Sequence, residues 1–356
     1  MKLGSLLGMD DQTPVTGFAI DHRKVAPGTI FGAFEGAKVN GEDFIEAAIA
    51  AGAVAVVARP GVRVEGAVHI SNDEPRRSFA LLAAKFFQPF PDICVAVTGT
   101  NGKTTVSTLI YQIFEATDRE CGLIGTIETR IGKDAAESAR TTPEATDLQA
   151  ISAVMRERHM RHLVMEVSSH AMVLHRIQGA HFAFVGFTNL SQDHLDFHGD
   201  LESYFAAKAK LFTYDFADQS VINIDSQYGA RLAASTELPV ISLSRLSTQA
   251  TWHFAEIDAS GKKVHLKIRG SGGILIESST KLRGGYNLDN LLMAVAIAVE
   301  SGVDPIDIAA ALPSLTGAAG RLEEVSVGQS FSALVDYAHT PDAVTNALES
   351  IREFTT

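Results

Sequence analysis

The stretch VAVTGTNGKTT at 95–105 constrains this chain more than any other. An apolar run at 93–97 reads as a buried parallel strand. It stops at a glycine turn, and helical spacing follows from Thr104 to about Thr117. Strand, glycine-rich turn and helix in that order form a phosphate cradle. The glycines let main-chain N–H groups approach phosphate oxygens, and the helix N-terminus adds a favourable dipole. In such a loop Lys103 reaches the β- and γ-phosphates and the Thr104 hydroxyl holds Mg²⁺. The general pattern wants a fifth-preceding glycine where Val97 stands, so this is a shortened variant.

The rest of the chain reads as alternating strands and helices. Helical spacing at 41–51 precedes a buried strand at 53–58, giving a small α/β unit. Gln88-Pro89-Phe90-Pro91 breaks the pattern and marks a boundary. Buried strands follow at 93–97, 163–167, 183–187 and 221–224, which implies a mainly parallel sheet covered on both faces. Around 251–279 the alternation changes to that of antiparallel strands, read as a small β-meander inserted in the domain. Helix resumes at 287–301, a strand begins at 332–336, and a helix follows at 341–354. The expected fold class is α/β: a small N-terminal domain (1–88), a P-loop-type, mainly parallel ATPase domain with a small antiparallel insertion (89–331), and the start of a third domain (332–356).

Composition narrows the function. A net charge of −12 argues against coating nucleic acid, which needs a basic surface. The two cysteines, Cys94 and Cys121, form no CxxC pair, so structural zinc and a disulfide framework are not expected, in keeping with a reducing cytoplasm. No apolar stretch approaches the roughly 20 residues that span a bilayer. A cytoplasmic monomer with no nucleic-acid or membrane partner is expected.

Several motifs, taken in order, resemble the Mur ligases: TGTNGKTT (98–105), EVSSH (166–170), NLSQDHLDFHG (189–199), YFAAKAKLF (204–212), GGYNLDN (284–290), GRLE (320–323) and VDYAHTPDA (335–343). Their spacing is similar to that of the family member that adds the third residue to UDP-N-acetylmuramoyl-L-alanyl-D-glutamate. The resemblance implies phosphorylation of a substrate carboxylate by ATP, then displacement of phosphate by an amine. Such chemistry gathers charged oxygens, so cations carry much of the burden. It implies ATP contacts at Gly99, Thr100, Asn101, Gly102, Lys103, Thr104 and Thr105, with Asn287, Asn290 and Arg321 around adenine and phosphates and Asp336 and His339 near the ribose. Lys103, Glu166, His194 and Lys208 are the expected catalytic group. Two Mg²⁺ are expected, with Thr104, Glu166, His194 and Lys208 as metal-binding positions. Lys208 is expected to carry a CO₂-derived carbamate (N6-carboxylysine).

Plainer readings compete. Glu166 also suits a capping carboxylate, His194 a solvated polar turn, and Lys208 a surface helix lysine beside Lys210. On the substrate side the resemblance implies Asp21, His22 and Arg23 at uridine, with His22 standing where serine is usual. It further implies Lys38 near the diphosphate, Thr141 and Thr142 at the sugar and peptide, and Ser168 and Arg176 at the acidic end. Leu174 replaces a glutamine of some relatives. Met165, Phe182, Phe184 and Phe187 read as core.

The family's motif that separates diaminopimelate from lysine users has no counterpart before Thr356, so the added amino acid is diaminopimelate or lysine, with diaminopimelate the commoner choice. If Thr356 is the natural end, substrate binding with little ligation is expected. The alternatives are another ligase on the same scaffold, or a non-catalytic precursor-binding protein.

Overall fold

The computed structural model describes residues 1–36, 39–261, 263–325, 327–329, 331–338 and 341–352. The chain divides into two compact units: Met1–Phe90 with Pro143–Val154 and Val173–Ala180, and Pro91–Thr142 with Met155–Met172 and His181–Thr356. The first unit is therefore discontinuous in sequence. Local pattern cannot reveal which later segments return to an earlier core.

The first unit is built on four parallel strands in sequential order: β1 (Gly17–Ala19), β2 (Thr29–Gly32), β3 (Ala53–Ala58) and β4 (Val68–Ser71). Strand β3 is buried along nearly its whole length, as an apolar run between two packed faces requires. The helix Pro75–Phe87 opens with proline at its first turn and buries Phe79, Ala80, Ala83 and Ala84. Phe79 meets Phe18 and Phe34 edge-on, with centroids 5.5 and 5.3 Å apart. The expected 41–51 helix is a 3₁₀ turn, Gly41–Phe44, followed by the helix Ile45–Ala50.

The second unit holds one large sheet. Its strands in chain order are β5 (Ile93–Thr98), β6 (Cys121–Ile124), β7 (Glu128–Ile131), β8 (Asp134–Glu137), β9 (His162–Glu166), β10 (Phe182–Phe187), β11 (Ala217–Asn223), β12 (Val240–Ser244), β13 (Trp252–Asp258), β14 (Val264–Arg269) and β15 (Leu275–Thr280). Across the sheet the order is β15-β14-β13-β12-β11-β10-β5-β9-β6-β7-β8. From β13 to β6 every neighbour pair is parallel, and the connections reverse direction beside β5. The carboxyl end of β5 is thus a topological switch point, where open α/β sheets bind ligands. Met165, Phe182, Phe184 and Phe187 lie in the core, as expected.

The small antiparallel strands expected at 251–279 are present as β13, β14 and β15; β13 pairs in parallel with β12, so β14 and β15 extend the main sheet. At the other edge β7 and β8 form a further antiparallel pair on β6. Both are short and half-polar, so their periodicity is weak. Strand β17 (Ala333–Val335) pairs with β16 (Glu323–Val325) as a two-stranded ribbon.

One face of the sheet is covered by the helices Lys103–Ala116 and Gly285–Glu300, which form a continuous apolar cluster with the strands. Leu291 sits fully buried in that cluster. Replacing it with alanine is expected to cost about 2–5 kcal/mol through lost burial and the cavity left behind. A urea denaturation midpoint close to that of the parent would contradict this.

Candidate functional site

Gly99 and Gly102 make the phosphate loop possible. Both have positive φ, 148° and 87°. A Cβ at Gly99 would strike the Thr188 hydroxyl, and one at Gly102 would strike the Asn290 side-chain carbonyl. The loop is pinned by its neighbour 188–191. Thr188 Oγ1 donates to Asn101 O at 2.6 Å, Asn101 N donates to Asn189 Oδ1 at 3.0 Å, and Ser191 N donates to Thr100 Oγ1 at 3.0 Å. Thr188 lies outside every motif read from the sequence, and Asn189 and Ser191 appear only inside one, with no role of their own. Thr105 is buried in the first turn of the helix.

Glu166 ends β9 and is completely buried. Thr126 N donates to its Oε1 at 2.7 Å, Thr126 Oγ1 to its Oε2 at 2.9 Å, and Thr104 Oγ1 to its Oε2 at 3.1 Å. It caps no helix end, so the capping reading fails. These three donors are neutral, and nothing among them neutralises the buried charge. Gly125 leaves room for the carboxylate, since a Cβ there would lie 2.6 Å from Oε1. Thr141 Oγ1 lies 3.0 Å from Thr126 Oγ1. Thr142 Oγ1 donates to Glu166 O at 3.0 Å and accepts from Ser168 N at 3.1 Å. Thr104, Thr126, Thr141, Thr142, Glu166 and Ser168 are therefore one hydroxyl-and-carboxylate network. Thr126 escaped the sequence reading because an isolated threonine after a strand carries no signal of its own.

Lys208 is 1% exposed, which overturns the surface-lysine reading. Its Nζ donates to Gly99 O at 2.8 Å and lies 4.6 Å from the Tyr204 ring centroid. Lys103 Nζ donates to the same Gly99 O at 3.0 Å and to Thr100 O at 2.8 Å. Two ammonium groups on one carbonyl oppose each other. Burial, then the charge of Lys103, pushes Lys208 well below the usual lysine range, with Asp193 acting weakly the other way. Burial is also the main cause of a lowered Lys103, partly offset by Glu166 and Asp193 and reinforced by Arg321. Burial pushes Tyr204 up to about 12, so its hydroxyl, 3.3 Å from Thr100 Oγ1, stays protonated.

His194 stands in the left-handed region at φ 52° with its side chain 46% exposed. Its Nε2 is 3.4 Å from Asp193 Oδ2, and its ring meets His170 edge-on at 4.9 Å. Among the described residues, no three His, Cys, Asp or Glu side chains converge to hold a metal. A cation here therefore needs ligands of other types. The Thr104 hydroxyl and the buried Glu166 carboxylate, 3.1 Å apart, offer hard oxygens of the kind Mg²⁺ prefers, and so fit that ion.

Asn287 is buried, with Nδ2 donating to Arg283 O at 3.0 Å and Oδ1 lacking a partner. Arg321 lies over the Tyr337 ring at 5.1 Å, and Leu322 N donates to Asp336 Oδ2 at 2.8 Å. Lys38 and His339 lie outside the described residues. In the first unit, Asp21 and Arg23 pair side by side at 2.7 Å, and His22 stacks on Phe44 with centroids 4.4 Å apart and planes 5° from parallel. The Arg176 guanidinium binds Glu144 at 2.7 Å with both side chains mostly buried. Glu144 was not anticipated, because ion-pair partners 32 positions apart share no sequence pattern.

A phosphate-cradling loop at the switch point of a parallel sheet defines the P-loop class of α/β nucleotide-binding proteins. Comparison with known proteins takes this further. Residues 97–298 match the Mur ligase middle domain, and 14–85 match the Mur ligase family catalytic domain. The chain is 41% identical over 348 residues to the UDP-N-acetylmuramoyl-L-alanyl-D-glutamate–2,6-diaminopimelate ligase of Zymomonas mobilis, covering 96% of this chain and 71% of that protein. It is 40% identical to the ligase of the same name from Streptomyces coelicolor, covering 99% and 72%. A solved structure of a ligase of that name superposes with a TM-score of 0.88 at 28% identity, covering all of this chain and 75% of the other. The MurF ligase from Thermotoga maritima, solved with ADP, shares the fold at a TM-score of 0.67 and 19% identity, over 96% of this chain and 75% of that one. The chain belongs to the Mur ligase family, whose members are ATP-dependent ligases that use Mg²⁺. No helix among the described residues is long and apolar enough to cross a membrane.

The buried Lys208 makes stability depend on pH. Its folded pKa lies below the ~10.4 of an unfolded lysine. Between the two values the unfolded chain binds more protons, so stability rises with pH across that window and the gain is complete above it. In CO₂-free buffer, Lys208→Met is expected to be more stable than the parent at neutral pH, with the gap shrinking toward pH ~10. A gap in urea midpoint that stays constant with pH would refute this.

Proposed function

We propose that this chain is an ATP-dependent acid–amino acid ligase. It activates the terminal carboxylate of UDP-N-acetylmuramoyl-L-alanyl-D-glutamate and joins it to an amino acid, 2,6-diaminopimelate, in the synthesis of peptidoglycan precursor. The observation that carries this reading is the 41% identity to a ligase of that name along 96% of the chain. The placement of Glu166, Lys103 and Lys208 around one loop supports it.

In this reading the carboxylate oxygen attacks the γ-phosphorus of ATP, giving an acyl phosphate and ADP. The amine of the amino acid then attacks the acyl carbon, and phosphate leaves. The loop amides of 99–105 hold the phosphates, and Lys103 turns from the Gly99 and Thr100 carbonyls toward them. Asn287, with an unpaired buried carbonyl, and Asn290 face the nucleotide, together with Arg321 and Asp336. Mg²⁺, held by Thr104 and Glu166, would neutralise charge on the transferring phosphoryl group; His194 and Lys208 are proposed to serve a second one. Lys208 is suited to carry a carbamate, because a carbamate forms from the neutral amine and its surroundings favour that form. The carbamate would remove the repulsion between the two lysines.

In the first unit, Arg176 is proposed to hold the substrate's carboxylate in exchange for Glu144, through paired donors. The stacked His22 and Phe44 offer a flat face to the uracil ring, with Asp21 and Arg23 beside it. Lys38 is proposed near the diphosphate, and Thr141, Thr142 and Ser168 near the sugar and peptide.

Calorimetric titration with UDP-N-acetylmuramoyl-L-alanyl-D-glutamate tests the reading. Binding is expected in the micromolar range, and Arg176→Ala should weaken it by roughly tenfold or more, about 1.4 kcal/mol per decade. A folded chain that ignores this ligand would overturn the substrate assignment. Separately, ¹³C-bicarbonate should give a carbamate signal in the parent that is missing from Lys208→Ala; no signal in the parent at neutral pH would remove the carbamate from the reading.

A further inference from the structure

In the first unit, Arg23, Arg59, Arg63, Arg77 and Arg176 each have a carboxylate at 3.9 Å or closer. Arg76, half-buried in the first turn of the helix Pro75–Phe87, has none among the described residues. Its Cζ lies over the Phe34 ring, 4.8 Å from the centroid, and its Nη2 makes one long hydrogen bond, 3.4 Å, to Glu35 O. Most of its N–H donors therefore lack a protein acceptor.

The acids around it are already engaged. Glu35 and Glu42 face Arg59 at 3.9 and 2.8 Å, and Glu144 holds Arg176 at 2.7 Å. A partly desolvated cation without a counter-ion is unfavourable, and an anion brought beside it recovers that cost. Burial accordingly lowers the pKa of Arg76, with Glu144 acting the other way and Arg176 reinforcing the effect.

Arg76 also stands at the base of the loop 35–40. Gly41 N donates to Phe34 O at 2.8 Å, and Glu35 bridges Asn40. The loop is thus closed at Phe34 and Glu35, the two residues that Arg76 touches. The 3₁₀ turn Gly41–Phe44 follows directly and ends at the ring on which His22 stacks.

We propose that Arg76 binds the diphosphate of the uridine-nucleotide substrate. This rests on the substrate reading above, in which uracil lies at His22 and Phe44 and the acidic end reaches Arg176. In that ligand the diphosphate follows the uridine and precedes the sugar and peptide. Arg76 has the matching place: it holds the loop that leads into Phe44, and it feels the charges of both Arg176 and Glu144. Two guanidinium groups and one carboxylate leave positive charge in excess, which suits a diphosphate. Paired guanidinium donors span two phosphate oxygens, and the Phe34 ring supports the group from one face.

The test is calorimetric titration of the full chain with uridine, UDP and UDP-N-acetylmuramoyl-L-alanyl-D-glutamate, using displacement for the weaker ligands. Arg76→Gln is expected to lower affinity for UDP and for the full substrate by the same factor, roughly tenfold, and to leave uridine within twofold. Arg77→Gln, one position along and already paired with Glu74, should change none of the three. If Arg76→Gln does not fold, Arg76→Lys replaces it. That variant keeps the charge but loses the paired donors, and should weaken UDP about threefold with uridine unchanged. Unaltered UDP affinity in the Arg76 variants would overturn the proposal. So would a loss on the full substrate alone, which would place Arg76 at the peptide carboxylate, or an equal loss on uridine, which would make its role structural. A folded parent that binds UDP but no tighter than uridine would also overturn it. One that binds none of the three would overturn the uridine-nucleotide reading and the proposal with it.

Discussion

The carboxylate of Glu166 has no exposure to solvent and is surrounded by hydroxyl and amide donors. Burying such a charge is expensive unless it is paired or hydrogen-bonded. The surrounding architecture answers that cost: β9 ends at Glu166, the phosphate-loop helix brings Thr104, the turn after β6 brings Thr126, and Thr142 holds the Glu166 main chain. Three segments far apart in sequence are thereby fixed on one group. A residue that only stabilised the fold would be better replaced by an apolar side chain of the same size. The buried carboxylate beside Thr104 is the feature on which the proposed Mg²⁺ position rests.

The second organising element is the Gly99 carbonyl, which accepts from both Lys103 and Lys208. One oxygen cannot satisfy two buried ammonium groups, and the more deeply buried of the two loses its proton more readily. Lys103 and Lys208 therefore differ in chemistry although they are the same residue type. In the proposed function the first serves as a phosphate-binding cation, and the lowered pKa of the second favours the neutral amine from which a carbamate forms. The difference comes from burial and mutual repulsion, neither of which belongs to either residue alone.

The second unit also holds Arg321 over the Tyr337 ring, and the first unit, taken by itself, holds two pre-paired arginines, Arg23 with Asp21 and Arg176 with Glu144. Arg23 and Arg176 each already hold a carboxylate. An anionic ligand at such a position exchanges one partner for another, which favours ligands with the same planar geometry as the carboxylate displaced.

Much of this was legible from the chain itself. The order strand, glycine loop, Lys103, Thr104 and helix determined the phosphate loop, because glycine at positive φ and an apolar strand before a helix N-terminus are local requirements. Strands β3, β5, β9 and β10 followed from apolar runs, and Glu166 stood out as a charge at the end of β9. What tertiary structure alone decided is everything that depends on which distant segments meet. It buried Lys208 when composition made it a surface lysine, brought Thr126 to Glu166 and Gln112 to Thr316, returned Pro143–Val154 and Val173–Ala180 to the first unit, and fused the 251–279 strands to the main sheet. Local sequence encodes backbone conformation because φ, ψ and capping are set by near neighbours. Burial, ion pairing and altered protonation are set by atoms in contact across the fold, and those contacts exist only once the chain has closed on itself.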